Sequence, residues 1–237
     1  MSEQKRKIQA HPPKWQICTE GVTEANYLKQ YIKVLNLDRN VTINCKKMDA
    51  KGCGKQHEAL LDKMQECGRN WNTEATILVH DYDRAAERLN EKESFSNTFR
   101  RAKEESDYKV IYSNPCFEYW LMLHTAYMDS DLHRHSYQRK VKAICNQKRK
   151  DAGLEQLHGD DYKADPMLFD YFGGYEGSLT ARRNAQKRFD KEDKTGKAKG
   201  SFSTTEHAKG VPCTNFFELL DSLDEFAAFI RKSGCAE

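Results

Sequence analysis

A chain of 237 residues is long enough to bury a sizeable core, as one large domain or two small ones. Hydrophobic content of 38% and a mean hydropathy of −0.89 are low, yet 11% aromatic residues argue against general disorder. Net charge is only +3, no apolar run approaches the roughly 20 residues that span a bilayer, and the basic N-terminus "MSEQKRKIQAHPPKW" lacks a secretory apolar segment. A cytoplasmic location without membrane contact is the expectation.

The first half alternates strand and helix signals. "KWQICTEG" reads as a short buried strand, and "TEANYLKQYIKVL" follows with Tyr27, Tyr31 and Val34 at helical spacing. "VTINCKKM" is β-branched and alternating, a second strand. After the turn glycines of "DAKGCG", the segment "KQHEALLDKMQECG" predicts an amphipathic helix ended by Gly68. "ATILVHD" is a third strand, residues 91–105 a charged helix, and "YKVIYS" a fourth strand. "NPCFEYWLMLHTAY" then predicts a helix with Asn114 as cap and Pro115 at its first position. Residues 128–237 carry no strand signal and read as helices over 133–149, 164–171, 177–193 and 215–232.

Strand and helix repeated four times predict an α/β class, a parallel sheet flanked by helices, over residues 14–127. Residues 128–237 read as a basic helical elaboration packed on that core, because their apolar content is thin. "NFFELL", with Phe226 and Phe229 at helical spacing, is expected in the core.

Eight cysteines include no CxxC pair, so neither a zinc site nor a redox motif is signalled, and they are expected to be small reduced hydrophobes. Two basic segments suit a polyanion. Residues 134–150 hold seven Lys/Arg and no acid, and 182–200 are basic with three acids mixed in. Arg139, Lys140, Lys142, Arg182, Arg183 and Lys187 are the candidate phosphate contacts, against the alternative that these are solvated helix faces.

The acids fall where the strands end. Glu20 follows the first strand, Asp81 and Asp83 the third, and Glu118 opens the helix after the fourth. In doubly wound sheets ligands bind outside the strands' carboxyl ends. A D-x-D pair leaving a strand can bring two carboxylates to one locality, and Mg²⁺ takes a few carboxylates while keeping water or phosphate in its other positions. The same aspartates could instead cap a helix or pair with Arg84 and Arg88. A haloacid-dehalogenase-type D-x-D belongs after the first strand, so that class fits poorly. The chain also has no GxxxxGK[ST] and no GxGxxG.

"ICTEGVTEANY", "LVHDYDR", "YSNPCFEYWLMLH" and "VPCTNFFELLDSL" together resemble the RloB family, a TOPRIM-like group from prokaryotic defence and restriction-linked loci. The resemblance runs from about Trp15 to Leu223. It implies a TOPRIM-type fold with metal-dependent phosphodiester chemistry, with Glu20 as general acid/base or metal ligand and Asp81 and Asp83 on Mg²⁺ or Mn²⁺. Glu24 and Glu118 match acidic family positions. It also implies an AAA- or ABC-type ATPase partner and a role as effector of an anti-phage abortive-infection system, cutting RNA, tRNA among the candidates, or DNA. His80 stands where the family often has an apolar or aromatic residue. His124, one turn after Trp120, either assists catalysis or packs beside that ring. The competing expectation is a non-catalytic nucleic-acid-binding or sensor subunit of the same complex, and the sequence leaves room for a homo-oligomer.

Overall fold

The structure is a computed structural model that describes residues 13–45, 61–62, 75–82, 97–98, 100–102, 104, 108–130, 132–193 and 212–233. The elements are β1 (Trp15–Thr19), α1 (Val22–Val34), β2 (Val41–Cys45), β3 (Ala75–Asp81), β4 (Lys109–Asn114) and α2 (Phe117–Leu123). After them come α3 (Arg134–Asp151), a 3₁₀ turn (Asp161–Ala164), α4 (Leu168–Tyr171), α5 (Gly174–Asp193), β5 (Cys213–Thr214) and α6 (Phe216–Ser233). The sheet order is β2-β1-β3-β4-β5. β1 to β4 run parallel and β5 pairs antiparallel with β4. The expected α/β class is therefore present, with β1 and β3 side by side at the centre.

β1, β3 and β4 are buried along almost their whole length, as strands covered on both faces should be. α1 presents Ala25, Tyr27, Leu28, Tyr31 and Ile32 inward. It ends in a Schellman turn: Asn36 adopts a left-handed φ of 58°, and the Leu37 amide donates to the Ile32 carbonyl at 2.9 Å. Val34 lies past the buried stripe and is 52% exposed, against the apolar-face expectation.

One aromatic core joins the two halves of the chain. Tyr27 sits edge-on to Phe117, Trp120, Phe169 and Phe216, with ring centroids 5.0–6.3 Å apart. Such pairs add about 0.5–1.5 kcal/mol each beyond area burial. Trp15 stacks on Phe226 at 4.4 Å, so α6 closes the same core. Phe229, expected inside, is 56% exposed because it lies on the face of α6 opposite the buried Phe226, Ala227 and Ile230 stripe. Cys18, Cys116, Cys145 and Cys213 are buried and form no disulfide.

Two boundaries differ from the sequence reading. Asn114 is the last residue of β4, paired with Cys213, and the helix starts at Phe117 with Cys116 as its N-cap. Pro115 lies in the bend between β4 and the helix, not in the helix, and the Asn114–Pro115 peptide is cis. The C-terminal half also supplies a strand. β5 is only two residues long and is extended by a side chain. Asn215 Oδ1 accepts from the Tyr112 amide at 2.7 Å and its Nδ2 donates to the Val110 carbonyl at 3.2 Å. A carboxamide thereby does the work of a further strand residue, a pairing with no signature in local sequence. Of the helix expected over 55–68 only residues 61–62 are described, and of the one expected over 91–105 only 97–98, 100–102 and 104; all of these are helical, and the rest lie outside the described residues.

Asn215→Ala should leave one buried donor and one buried acceptor of β4 unmatched. A loss of about 2–4 kcal/mol is expected, read as a lower urea midpoint at unchanged m-value.

Candidate active site

The acidic side chains converge because β1, β3 and β4 are neighbours in the sheet and end at one edge. Glu20 leaves β1, and its amide donates to the Val79 carbonyl at 3.1 Å. Asp81 is the final residue of β3, level with Ser113 of β4. The chain leaves β1 toward β2 on one side, while β3 lies on the other. Glu20 and Asp81 thus flank the topological switch point, where such sheets open a crevice. The Asp81 amide donates to Glu20 Oε2 at 3.3 Å.

Glu24 and Glu118 arrive from helices. Glu24 lies in the first turn of α1, 3% exposed, and its carboxylate folds back over Gly21. A Cβ on Gly21 would overlap that carboxylate, so any larger residue there would displace the Glu24 side chain from its position. Glu118, in the first turn of α2, accepts a 2.6 Å hydrogen bond from Tyr162 Oη on the 3₁₀ turn. All four carboxylates line one cleft of about 440 Å³, together with Arg134, Asp160 and Lys163.

Burial and mutual repulsion dominate the electrostatics. Burial raises the Glu20 carboxyl, partly offset by the Asp81 amide and Arg134. Glu24 is pushed up to about 8, first by burial and then by Glu20 and Glu118. Asp81 is driven well above the carboxylate range by burial, then by Glu24, Glu20 and Glu118. Two unit charges about 4 Å apart interact by about 4 kcal/mol at an effective dielectric of about 20, so a crowd of carboxylates recruits either protons or cations.

The residues fit a hard divalent cation. The donors are all oxygens, and Asp81 Oδ1 is buried with no hydrogen-bond partner. No three His, Cys, Asp or Glu side chains among the described residues stand as a ready-made cage. Mg²⁺ typically takes only one or two protein carboxylates and fills its other positions with water and phosphate. Asp83 lies outside the described residues.

The other sequence candidates are placed elsewhere. His124 is buried in the aromatic core and does not line the cleft. Its Nδ1 donates to the Phe172 carbonyl at 2.8 Å, which leaves Nε2 to accept from Tyr27 Oη at 3.1 Å. Burial lowers its pKa to about 4. A neutral ring with both nitrogens engaged is a packing element, so its reading as a catalytic residue is corrected.

Arg182 is likewise committed within the fold. It pairs with Asp224 at 2.7 Å and Asp221 at 3.0 Å and donates to Tyr31 Oη, tying α5 to α6 and α1. With its charge neutralised by two aspartates, it is not a free phosphate contact. Arg183 and Lys187 are exposed and line a second depression of about 640 Å³, where Lys187 Nζ sits 4.5 Å from the Tyr127 ring centroid. The two clefts share no lining residue. Arg139 and Lys140 are exposed on α3 and Lys142 is half-buried there.

Sequence reasoning did not single out Arg134, Tyr162 or Lys163. Arg134 opens the basic run already noted. Tyr162 and Lys163 sit in "GDDYKADP", where nothing local marks them.

A family model described as "RloB-like protein" matches residues 16–223. No curated protein and no solved structure matches the chain. No helix among the described residues is long and apolar enough to cross a membrane.

A carboxyl raised on folding stabilises the protonated folded state, and that contribution is lost as pH climbs from the unfolded value toward the folded one. For Glu24 the window runs from 4.5 to about 8. In EDTA, the stability difference between Glu24→Gln and the unaltered protein should therefore widen in favour of the variant by about 1 kcal/mol per pH unit between pH 5 and 8, then level off. Urea melts at stepped pH read this directly. A pH-independent difference would mean that Glu24 is not held in the crowded, buried state described.

Proposed function

The chain belongs to the RloB-like family, and from that membership together with the carboxylate cleft we propose that it is a Mg²⁺- or Mn²⁺-dependent nuclease. Its substrate would be RNA, tRNA among the candidates, or DNA. The single observation carrying the reading is Asp81 Oδ1, buried and unpartnered beside Glu20 at the switch point of the sheet. The narrower TOPRIM reading belongs to this proposal. It is supported by an acid after the first strand, a D-x-D after the third, and the β2-β1-β3-β4 order.

Asp81, with Glu20 and with Asp83, would hold the ion, which when bound offsets charge on the phosphate oxygens and lowers the pKa of water. Glu20 also has the features of a general base. Burial raises its basicity, and the Asp81 amide fixes one carboxylate oxygen, leaving the other for a water proton. Glu24 shares the cleft and takes up a proton or positive charge there. Glu118 is oriented by Tyr162.

The reading extends to a cytoplasmic effector of an anti-phage abortive-infection system, released by an AAA- or ABC-type ATPase. The absence of GxxxxGK[ST] and GxGxxG from the chain agrees with a borrowed nucleotide-binding subunit. A non-catalytic binding subunit is the second reading, favoured by the exposed basic residues of α3.

The test is cleavage of labelled tRNA and plasmid in Mg²⁺, Mn²⁺ or EDTA, with and without the ATPase subunit. Cleavage should need metal and fall about 10²–10³-fold in Asp81→Asn, the scale of losing one group that stabilises transition-state charge. Circular dichroism should be unchanged. Cleavage that survives in EDTA or in Asp81→Asn overturns the metal-dependent reading. A cellular effect that survives Asp81→Ala combined with Asp83→Ala favours the binding subunit.

A further inference from the structure

Two cations from separate elements reach the carboxylate cleft. Arg134 is the first residue of α3 and Lys163 belongs to the 3₁₀ turn, and both line the cavity that holds Glu20, Glu24, Asp81 and Glu118. We propose that Arg134 and Lys163 form a phosphate clamp, gripping non-bridging oxygens of a phosphodiester whose phosphorus lies over the carboxylates. The clamp rests on the reading of this cleft as a phosphodiester site and names how its substrate is held.

Arg134 and Lys163 both line the cleft and come from separate elements, so each adds fixed positive charge beside the carboxylates. Four carboxylates alone would repel such a group, so a cleft built for an anion needs fixed positive charge at its rim as well as any ion within.

Lys163 is held in place by its backbone and by its neighbour. Asn26 Nδ2 on α1 donates to the Lys163 carbonyl at 2.9 Å, and Tyr162 anchors the same turn to Glu118 at 2.6 Å. Its ammonium pairs with Asp160 at 2.9 Å and lies 5.9 Å from the Tyr162 ring centroid; the lysine is half-buried while the Asp160 carboxylate is 73% exposed. A pair whose acid is so well solvated contributes little, so a phosphate oxygen can take over the ammonium at small cost. Arg134 brings a planar fork suited to two oxygens of one phosphate.

The clamp also stands at the head of a cationic helix. α3 is 18 residues long, roughly 27 Å, with Arg139, Lys140, Lys148 and Lys150 exposed and no acid before Asp151. Among the residues of α3 only Arg134 lines the cleft, and the other exposed cations of the helix lie outside it. A polynucleotide, with a phosphate at every step, matches this arrangement; a lone phosphate would use the clamp and nothing beyond.

The probe is a fluorescein-labelled single-stranded RNA with phosphorothioate linkages, titrated in Ca²⁺ at several salt concentrations. Mn²⁺ binding is followed by electron paramagnetic resonance on the same samples. Arg134→Gln and Lys163→Gln are each expected to weaken RNA binding about 5–10-fold and to reduce the salt slope by about 0.7. Arg134→Lys, which keeps the charge and loses the fork, should recover only part of the affinity while restoring the salt slope, and Mn²⁺ should bind as before or more tightly. Unchanged RNA affinity and slope in both Gln variants, with melting temperatures preserved, overturns the clamp. If the unaltered protein takes up no Mn²⁺ while the clamp effects appear, the metal reading fails and the clamp stands.

Discussion

Carboxylates that repel one another are held together at the edge of the central sheet, and the rest of the molecule is arranged around that constraint. Adjacent parallel strands β1 and β3 deliver Glu20 and Asp81 to the switch point, and α1 and α2 add Glu24 and Glu118 from their first turns. Burial raises three of these carboxyls, so the cleft stores unfavourable electrostatic energy in its charged form. A domain with only about 5–15 kcal/mol of net stability can carry such a site only if packing elsewhere compensates.

The compensation lies in the aromatic core that joins the two halves of the chain. Tyr27 on α1 packs against rings from α2, α4 and α6, and its hydroxyl donates to His124. Tyr31, one turn later, is bound to Asp224 and Arg182. α1 is thus fixed along its length by groups that follow residue 128, while its N-terminus carries Glu24 into the cleft. The C-terminal half contributes directly too, through Arg134, Tyr162 and Lys163. The carboxylate cleft is therefore a product of both halves, and the same hydrophobic cluster runs through both.

What could be read from residues alone follows from how local the cause is. Continuous apolar runs made β1, β3 and β4 legible, and acids just past their ends marked the site, because strand ends in parallel sheets share an edge. β5 was invisible since two residues have no period, and its pairing depends on the side chain of Asn215. Phe229 stands three residues after the buried Phe226, yet the stripe continues through Ala227 and Ile230 and leaves Phe229 on the solvent side. His124 shares its helix with Glu118, yet only the partners at each ring nitrogen reveal that it serves the core. Arg182 looked available until Asp221 and Asp224, far along the chain, were seen to neutralise it. Ion pairs and cavities formed by distant segments leave no local signature, and for that reason Tyr162 and Lys163 were missed.

The four carboxylates are alike in sequence and unlike in their surroundings, and that difference sorts them. Glu118 receives the Tyr162 hydroxyl, Glu20 the Asp81 amide with Arg134 near, and Glu24 its own backbone amide with Lys163 near. Asp81 alone of the four keeps a buried oxygen, Oδ1, that no donor reaches. A buried unpartnered oxygen costs about 1–3 kcal/mol, more when charged, and the cost disappears when a proton or a cation settles on it. The carboxylate least satisfied by the protein is thus the one best suited to hold a proton or cation that the protein does not supply, while each of the other three already has a donor of its own.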